Sequence, residues 1–149
     1  MSAAAVPEGF AVHPIGGEFV ALTGPFYIRR LAPDRIALGF RVEPRHCNLM
    51  GNCHGGMLAT FCDMLLPITV HQTVAQVGLR FLPTIGLQMD YLAPTPRGAW
   101  VQGEAQVLRT TRSMVFAHAV VTADGTPVAR CSGTMKIGGP IPGTQDAAL

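Results

Sequence analysis

The chain has 149 residues, enough for one domain around one core. Hydrophobic residues make up 48% and charged ones 13%, with a formal net charge of +2. Scattered arginines without a basic run argue against nucleic acid, and so little charge suggests that apolar surface is covered by self-association.

Residues 1–18 contain Pro7, Gly9, Pro14, Gly16 and Gly17 and read as a loose arm. The first residues lack the charged start and apolar centre of an export signal. Phe26–Leu31 is a short strand candidate. Arg35–Val42 is a second, with Ile36, Leu38, Phe40 and Val42 on one face. Pro44–Cys53 reads as loop. A helix is expected from His54 to Val74, apolar around nearly its whole circumference and therefore buried on most sides. Pro67 lies inside it and is expected to bend the backbone close to Asp63.

Strands are expected over Thr84–Leu92, Trp100–Leu108, Met114–Thr122 and Val128–Ile137, with Asp124-Gly125 turning the last hairpin. Residues 139–149 read as a turn-rich tail. One apolar helix and one antiparallel sheet make an α+β fold, the helix as filling and a curved sheet of about five or six strands as cover. The domain is set at residues 19–138.

Asp63 lies within the most apolar long run of the chain, Gly55 to Val70, and no Lys or Arg occurs between Arg45 and Arg80. Burying an unpaired carboxylate costs several kcal/mol or forces its pKa up, so the acid asks for a reason. The same run is too short, and too polar at Asp63, to span a bilayer. Cys47, Cys53, Cys62 and Cys131 show no disulfide framework. With His46 and His54, the first two form His-Cys-x5-Cys-His, which raises zinc, but closely spaced ligand pairs are missing and no metal is expected. Reduced thiols without an export signal point to the cytoplasm.

The loop ahead of the helix reads Asn48-Leu49-Met50-Gly51-Asn52-Cys53-His54-Gly55-Gly56. Glycines at a helix start leave backbone N–H groups bare at the positive end of the helix dipole. Such groups suit an anion, or an oxygen that becomes negative during a reaction. Asn48 could add an amide donor. Asp63 lies ~13 Å along the axis from His54, too far to share a reacting carbon with its own loop. Two antiparallel copies of the helix would bring one helix start to the other's acid.

Asn-x2-Gly-x2-His-Gly-Gly followed by an Asp nine residues after the His, here Asn48, Gly51, His54, Gly55, Gly56 and Asp63, resembles the hotdog-fold thioesterases of the PaaI-like family. Gly24-Pro25-Phe26-Tyr27, Arg109-Thr110-Thr111-Arg112 and Asp124-Gly125-Thr126-Pro127-Val128-Ala129 extend the resemblance over roughly residues 20–138. It implies a hotdog fold, a dimer or dimer of dimers, and hydrolysis of acyl-coenzyme A thioesters without a cofactor. It casts Asp63 as general base or nucleophile and Gly55 N–H as donor to the thioester oxygen. Asn48 would lie near the thioester or the lytic water, and Thr84 would orient that water. His54, Gly56, Arg109 and Arg112 are carried as substrate-binding residues.

Plainer readings stand beside these. Asp63 could be a structural acid bonded to a Thr or to backbone. His54 could hold the loop, Gly55 and Gly56 could serve packing, and Thr84 could simply begin a strand. Arg109 and Arg112 could be solvated hairpin charges. His13, His46, His71 and His118 read as structural. The competing function is a non-catalytic acyl-CoA or acyl-ligand binding protein on the same fold. A hotdog dehydratase ranks lower, because its Pro-rich loop is absent, and a zinc module ranks last.

Overall fold

The computed structural model describes residues 4–14 and 16–144, so parts of the arm (1–3 and 15) and of the tail (145–149) lie outside the described residues. In chain order the elements are β1 (Ala11–Val12), α1 (Glu18–Thr23), β2 (Tyr27–Ala32), β3 (Arg35–Arg41), α2 (Gly55–Thr73), β4 (Thr84–Tyr91), β5 (Trp100–Thr110), β6 (Met114–Ala123) and β7 (Thr126–Lys136). The strands form one antiparallel sheet in the order β1-β2-β3-β5-β6-β7-β4. This is an α+β, hotdog-like fold with one main helix.

Among the described residues the sheet has seven strands, not the five or six expected. The extra strand is β1, which pairs Ala11 with Ile28 and Val12 with Tyr27, inside the segment read as arm. Two residues are too few to show a period, and the free edge of β2 supplies the partner. The short helix α1 was also unforeseen. It is held from a distance: His46 Nε2–H donates to the Thr23 carbonyl at 2.8 Å, and the Arg45 guanidinium donates to the carbonyls of Leu22 and Gly24. Those donors satisfy carbonyls that a helix end leaves bare.

α2 lies against the inner face of the sheet. Met57, Leu58, Phe61, Cys62, Leu65, Leu66, Ile68 and Val70 are buried there. Phe26, Phe40 and Phe61 meet with ring centroids 5.1 to 6.0 Å apart. Each large side chain removed from water contributes about 1.5–3 kcal/mol. Two sheet glycines let the helix approach closely: a Cβ on Gly103 would stand 2.6 Å from Leu65 Cδ2, and one on Gly133 2.5 Å from Leu66 Cδ1. The helix runs continuously through Pro67, so the Asp63 carbonyl lacks its usual backbone donor.

Asp124 and Gly125 have φ of 46° and 86°, as a tight hairpin with two left-handed residues requires. On β7, Ala129, Cys131 and Met135 point inward as the alternation predicts, and Ile137 just past its end is buried too. β4 is the last strand of the sheet, bonded on one side to β7. No described helix is long and apolar enough to cross a membrane.

Candidate active site

The loop before α2 is a tight reversal. Cys47 and Cys53 face each other as an antiparallel bridge, and Asn48 N–H donates to the Asn52 carbonyl at 2.7 Å. Asn48 Oδ1 accepts from the backbone N–H of Met50 at 2.9 Å and of Asn52 at 3.2 Å. Asn48 therefore shapes the turn through its oxygen, while its amide nitrogen makes no hydrogen bond among the described residues. Leu49 and Met50 form the tip and stand almost wholly in solvent.

His54 caps α2. Its backbone is extended (φ −61°, ψ 139°), and its Nδ1 accepts from Gly56 N–H at 2.8 Å. That side-chain acceptor serves a helix start in the same way as the usual Ser or Asp cap. Met57 N–H donates to the His54 carbonyl at 2.9 Å. The Gly56 amide is thus already engaged. The Gly55 N–H is the one first-turn amide with no protein acceptor among the described residues, which leaves it open at the positive end of the helix.

Asp63 is exposed on the protomer, not buried as the apolar run suggested. Gly56 and Asp63 are the exposed positions of α2, seven residues apart and so on one face of the helix. The unusual acid lies on the uncovered stripe of an otherwise buried helix, which removes the desolvation cost within one copy. Thr84 Oγ1 donates to Asp63 Oδ1 at 2.6 Å, from the first residue of β4. No Lys or Arg pairs with Asp63 among the described residues; Arg80, next in sequence, donates to the Gly138 carbonyl.

The other end of the same strand reaches the helix start. Tyr91 Oη–H donates to the Gly55 carbonyl at 2.7 Å. A sequence reading places Tyr91 with Ile85, Leu87 and Met89 on one strand face but gives its hydroxyl no task. A polar tip on the face that carries Leu87 and Met89, at the point where β4 ends, was the available signal.

A cavity of about 380 Å³ opens beside the helix start, bordered by Leu22, Arg45, His54, Gly56, Met57 and Thr60. A larger one of about 950 Å³ lies at the C-terminal half of α2, near Thr69, Thr73, Gln106 and His118, and holds none of the candidate residues. The smaller cavity touches the site and is the relevant one. Arg109 and Arg112 are exposed around the β5–β6 turn, and neither side chain forms an ion pair or hydrogen bond among the described residues.

His46 is buried. Its Nδ1 accepts from Glu43 N–H at 3.0 Å while Nε2–H donates to Thr23, so the neutral ring is the one held, and burial lowers its pKa. Burial pushes the Cys53 thiol up to about 12. Contact with Cys131 and burial push the Cys62 thiol up as well. Among the described residues, no three of His, Cys, Asp and Glu gather as metal ligands would.

The sequence model of a family described as the thioesterase superfamily matches residues 50–129, which span Gly51, His54, Gly55, Gly56, Asp63, Thr84 and Tyr91. The chain belongs to the thioesterase superfamily. Within it, the chain is related to PaaI and acyl-CoA thioesterase-like proteins of hotdog fold. It is 29% identical over 132 residues to a Pseudomonas aeruginosa protein named as an esterase, PA0474, covering 89% of this chain and 97% of the relative. It is 26% identical over 125 residues to acyl-coenzyme A thioesterase 13 of Homo sapiens, covering 81% of this chain and 86% of the relative. The crystal structure of zebra fish thioesterase superfamily member 2 superposes with a TM-score of 0.67 at 25% identity, over 76% of this chain and 81% of that one. A mutant of the phenylacetic acid degradation protein PaaI from Thermus thermophilus matches the fold with a TM-score of 0.68 at 24% identity, over 80% of this chain and 98% of that one.

Proposed function

We propose that this thioesterase-superfamily chain hydrolyses acyl-CoA thioesters to free acid and CoA, at a site shared by two copies. The observation that carries the reading is the bond from Thr84 Oγ1 to Asp63 Oδ1 at 2.6 Å, on an exposed stripe of α2, with an open Gly55 amide at the same helix's start. Eight residues separate Gly55 from Asp63, ~12 Å along the axis, so one copy's acid serves the amide of another. The name of the human relative supports acyl-CoA as the substrate class.

In this reading Asp63 acts as general base. Its second oxygen is free to take a proton from water, while the Thr84 oxygen accepts from the same water and aims it. The water oxygen bonds to the thioester carbon, and the carbonyl oxygen becomes an oxyanion facing Gly55 N–H of the second copy. On collapse the C–S bond breaks, and the proton passes from Asp63 to the leaving thiolate. His54 keeps the loop in shape through Gly56, and Asn48 offers its free amide nitrogen to the thioester in this reading. Arg109 and Arg112 are available to the anionic end of CoA. The assembly is a homodimer, alone or doubled.

A thiol-release assay over alkyl and aryl acyl-CoAs, run with wild type and Asp63→Asn, tests this. Turnover by wild type and its loss in an Asp63→Asn variant of unchanged oligomeric state support the reading. Full turnover by Asp63→Asn overturns the role of the acid. Tight acyl-CoA binding without thiol release by wild type overturns hydrolysis in favour of a binding protein.

A further inference from the structure

Residues 55 and 56 are both glycine, which leaves the first two residues of α2, ahead of the buried Met57 and Leu58, with no side chain to steady them, although the Gly55 amide has to point at a fixed place. Two contacts restrain that turn. His54 Nδ1 holds the Gly56 N–H, and the Tyr91 hydroxyl holds the Gly55 carbonyl at 2.7 Å. The Tyr91 ring is also seated against the glycine: a Cβ on residue 55 would stand 3.1 Å from Tyr91 Cζ. Tyr91 in turn sits on a strand bonded along its length to β7, opposite Ala129. The tether runs from a paired strand to the glycine start of the helix.

We propose that Tyr91 is a positioning residue for thioester hydrolysis: by holding the Gly55 carbonyl it fixes the Gly55–Gly56 peptide and so limits rotation about the Gly55 Cα, so that the open Gly55 N–H on the other side of that Cα keeps the aim the oxyanion needs. The inference rests on the thioesterase reading and adds a residue to it. Tyr91 touches no reacting atom; it acts through Gly55. Burial raises the pKa of its phenol, so at neutral pH the hydroxyl keeps its proton and remains a donor. Amide aim matters because an oxyanion donor contributes only when preorganised at the position where charge develops. β4 then braces both halves of the chemistry: Thr84 at its start bonds the acid, and Tyr91 at its end bonds the carbonyl of the residue whose amide is open.

The test is Tyr91→Phe, which keeps the ring and removes the hydroxyl. In the thiol-release assay kcat is expected to fall about 3- to 10-fold, as for loss of one neutral hydrogen bond, with KM unchanged within about twofold. In a Gly55→Pro background, which has no amide to aim, the same substitution is expected to add no further loss. Hydrogen exchange of the bonded amides of residues 56–58 is expected to quicken several-fold in Tyr91→Phe while the melting temperature holds. Wild-type kcat in Tyr91→Phe, an equal loss in the Gly55→Pro background, or unchanged exchange each overturns the inference. The two failures are separable. If wild type is active, Asp63→Asn dead and Tyr91→Phe unimpaired, only Tyr91 loses its role. If wild type releases no thiol from any acyl-CoA, the thioesterase reading falls and takes the inference with it.

Discussion

Replacing Gly55 by proline deletes the proposed oxyanion donor and little else. Proline lacks an N–H, and residue 55 is the first helical residue, where proline is favoured because that N–H has no intrahelical partner. The residue before a proline must be extended, and His54 already is, at φ −61° and ψ 139°. The new ring meets Tyr91, whose Cζ lies 3.1 Å from a Cβ at this position, so the tyrosine has to give by a few tenths of an ångström. Tyr91 is 54% exposed and has room to do so. The helix is therefore expected to keep its stability within about 1 kcal/mol, while kcat falls roughly 10²–10³-fold, as for loss of one oxyanion donor. Thiol release measures the rate and a thermal melt checks the fold. Mixing adds a sharper demand. When Gly55→Pro and Asp63→Asn subunits re-associate at random in equal amounts, about half of the dimers are mixed. Each mixed dimer has one site with both groups intact, so about a quarter of wild-type activity returns. A folded Gly55→Pro variant with wild-type kcat, or a mixture as inactive as its components, refutes the shared site.

Three further outcomes are expected. Thr84→Ala removes the hydroxyl on Asp63 and should lower kcat about tenfold, the equivalent of ~1.4 kcal/mol, while Thr84→Ser keeps most of the rate; equal rates for Ala and Ser in the thiol-release assay would count against a bond from this hydroxyl. Burial lowers the His46 pKa below its ordinary value of 6.5, so the unfolded chain binds the extra proton first. The resulting stability is full above about pH 6.5 and declines as pH falls through the folded value. Melting temperature should drop on acidification and do so less steeply in His46→Gln, with His13, lowered in the same direction by burial, keeping part of the slope. Gly39→Ala would set a Cβ 2.4 Å from Trp100 Cζ2 and 2.9 Å from the Val101 carbonyl, one of which is backbone. It should cost about 1–3 kcal/mol in a denaturant melt, and an unchanged midpoint would show that the Trp100 ring is free to move aside.

Six of the strands were legible from short β-forming runs bounded by turn residues, and α2 from the length of its apolar run, and the structure places them within a residue or two of their expected bounds. β1 and α1 were not. One has two residues, and the other is held by Arg45 and His46 rather than by its own sequence. The helix start was readable from His54-Gly55-Gly56, since bare amides follow from local sequence alone. Asp63 was readable as out of place, but its exposure was not, because an apolar run does not say which stripe the sheet leaves uncovered. The pairing of Thr84 with Asp63 spans 21 residues and entered only through the family resemblance. Tyr91 and Gly55 lie 36 residues apart, and an aromatic in an alternating strand gives no hint that its hydroxyl has a distant client.

β4 ends the sheet and yet touches α2 at two places, through Thr84 and through Tyr91. In the proposed assembly those places belong to different reaction centres. A single strand then acts as a splint for two enzymes at once. Damage to it is not confined to one pocket: every copy that inherits a weakened strand misaligns a base in one centre and a dipole in the other. In that assembly a change along the segment reaches both centres, so its effects on the base and on the dipole are expected to appear together.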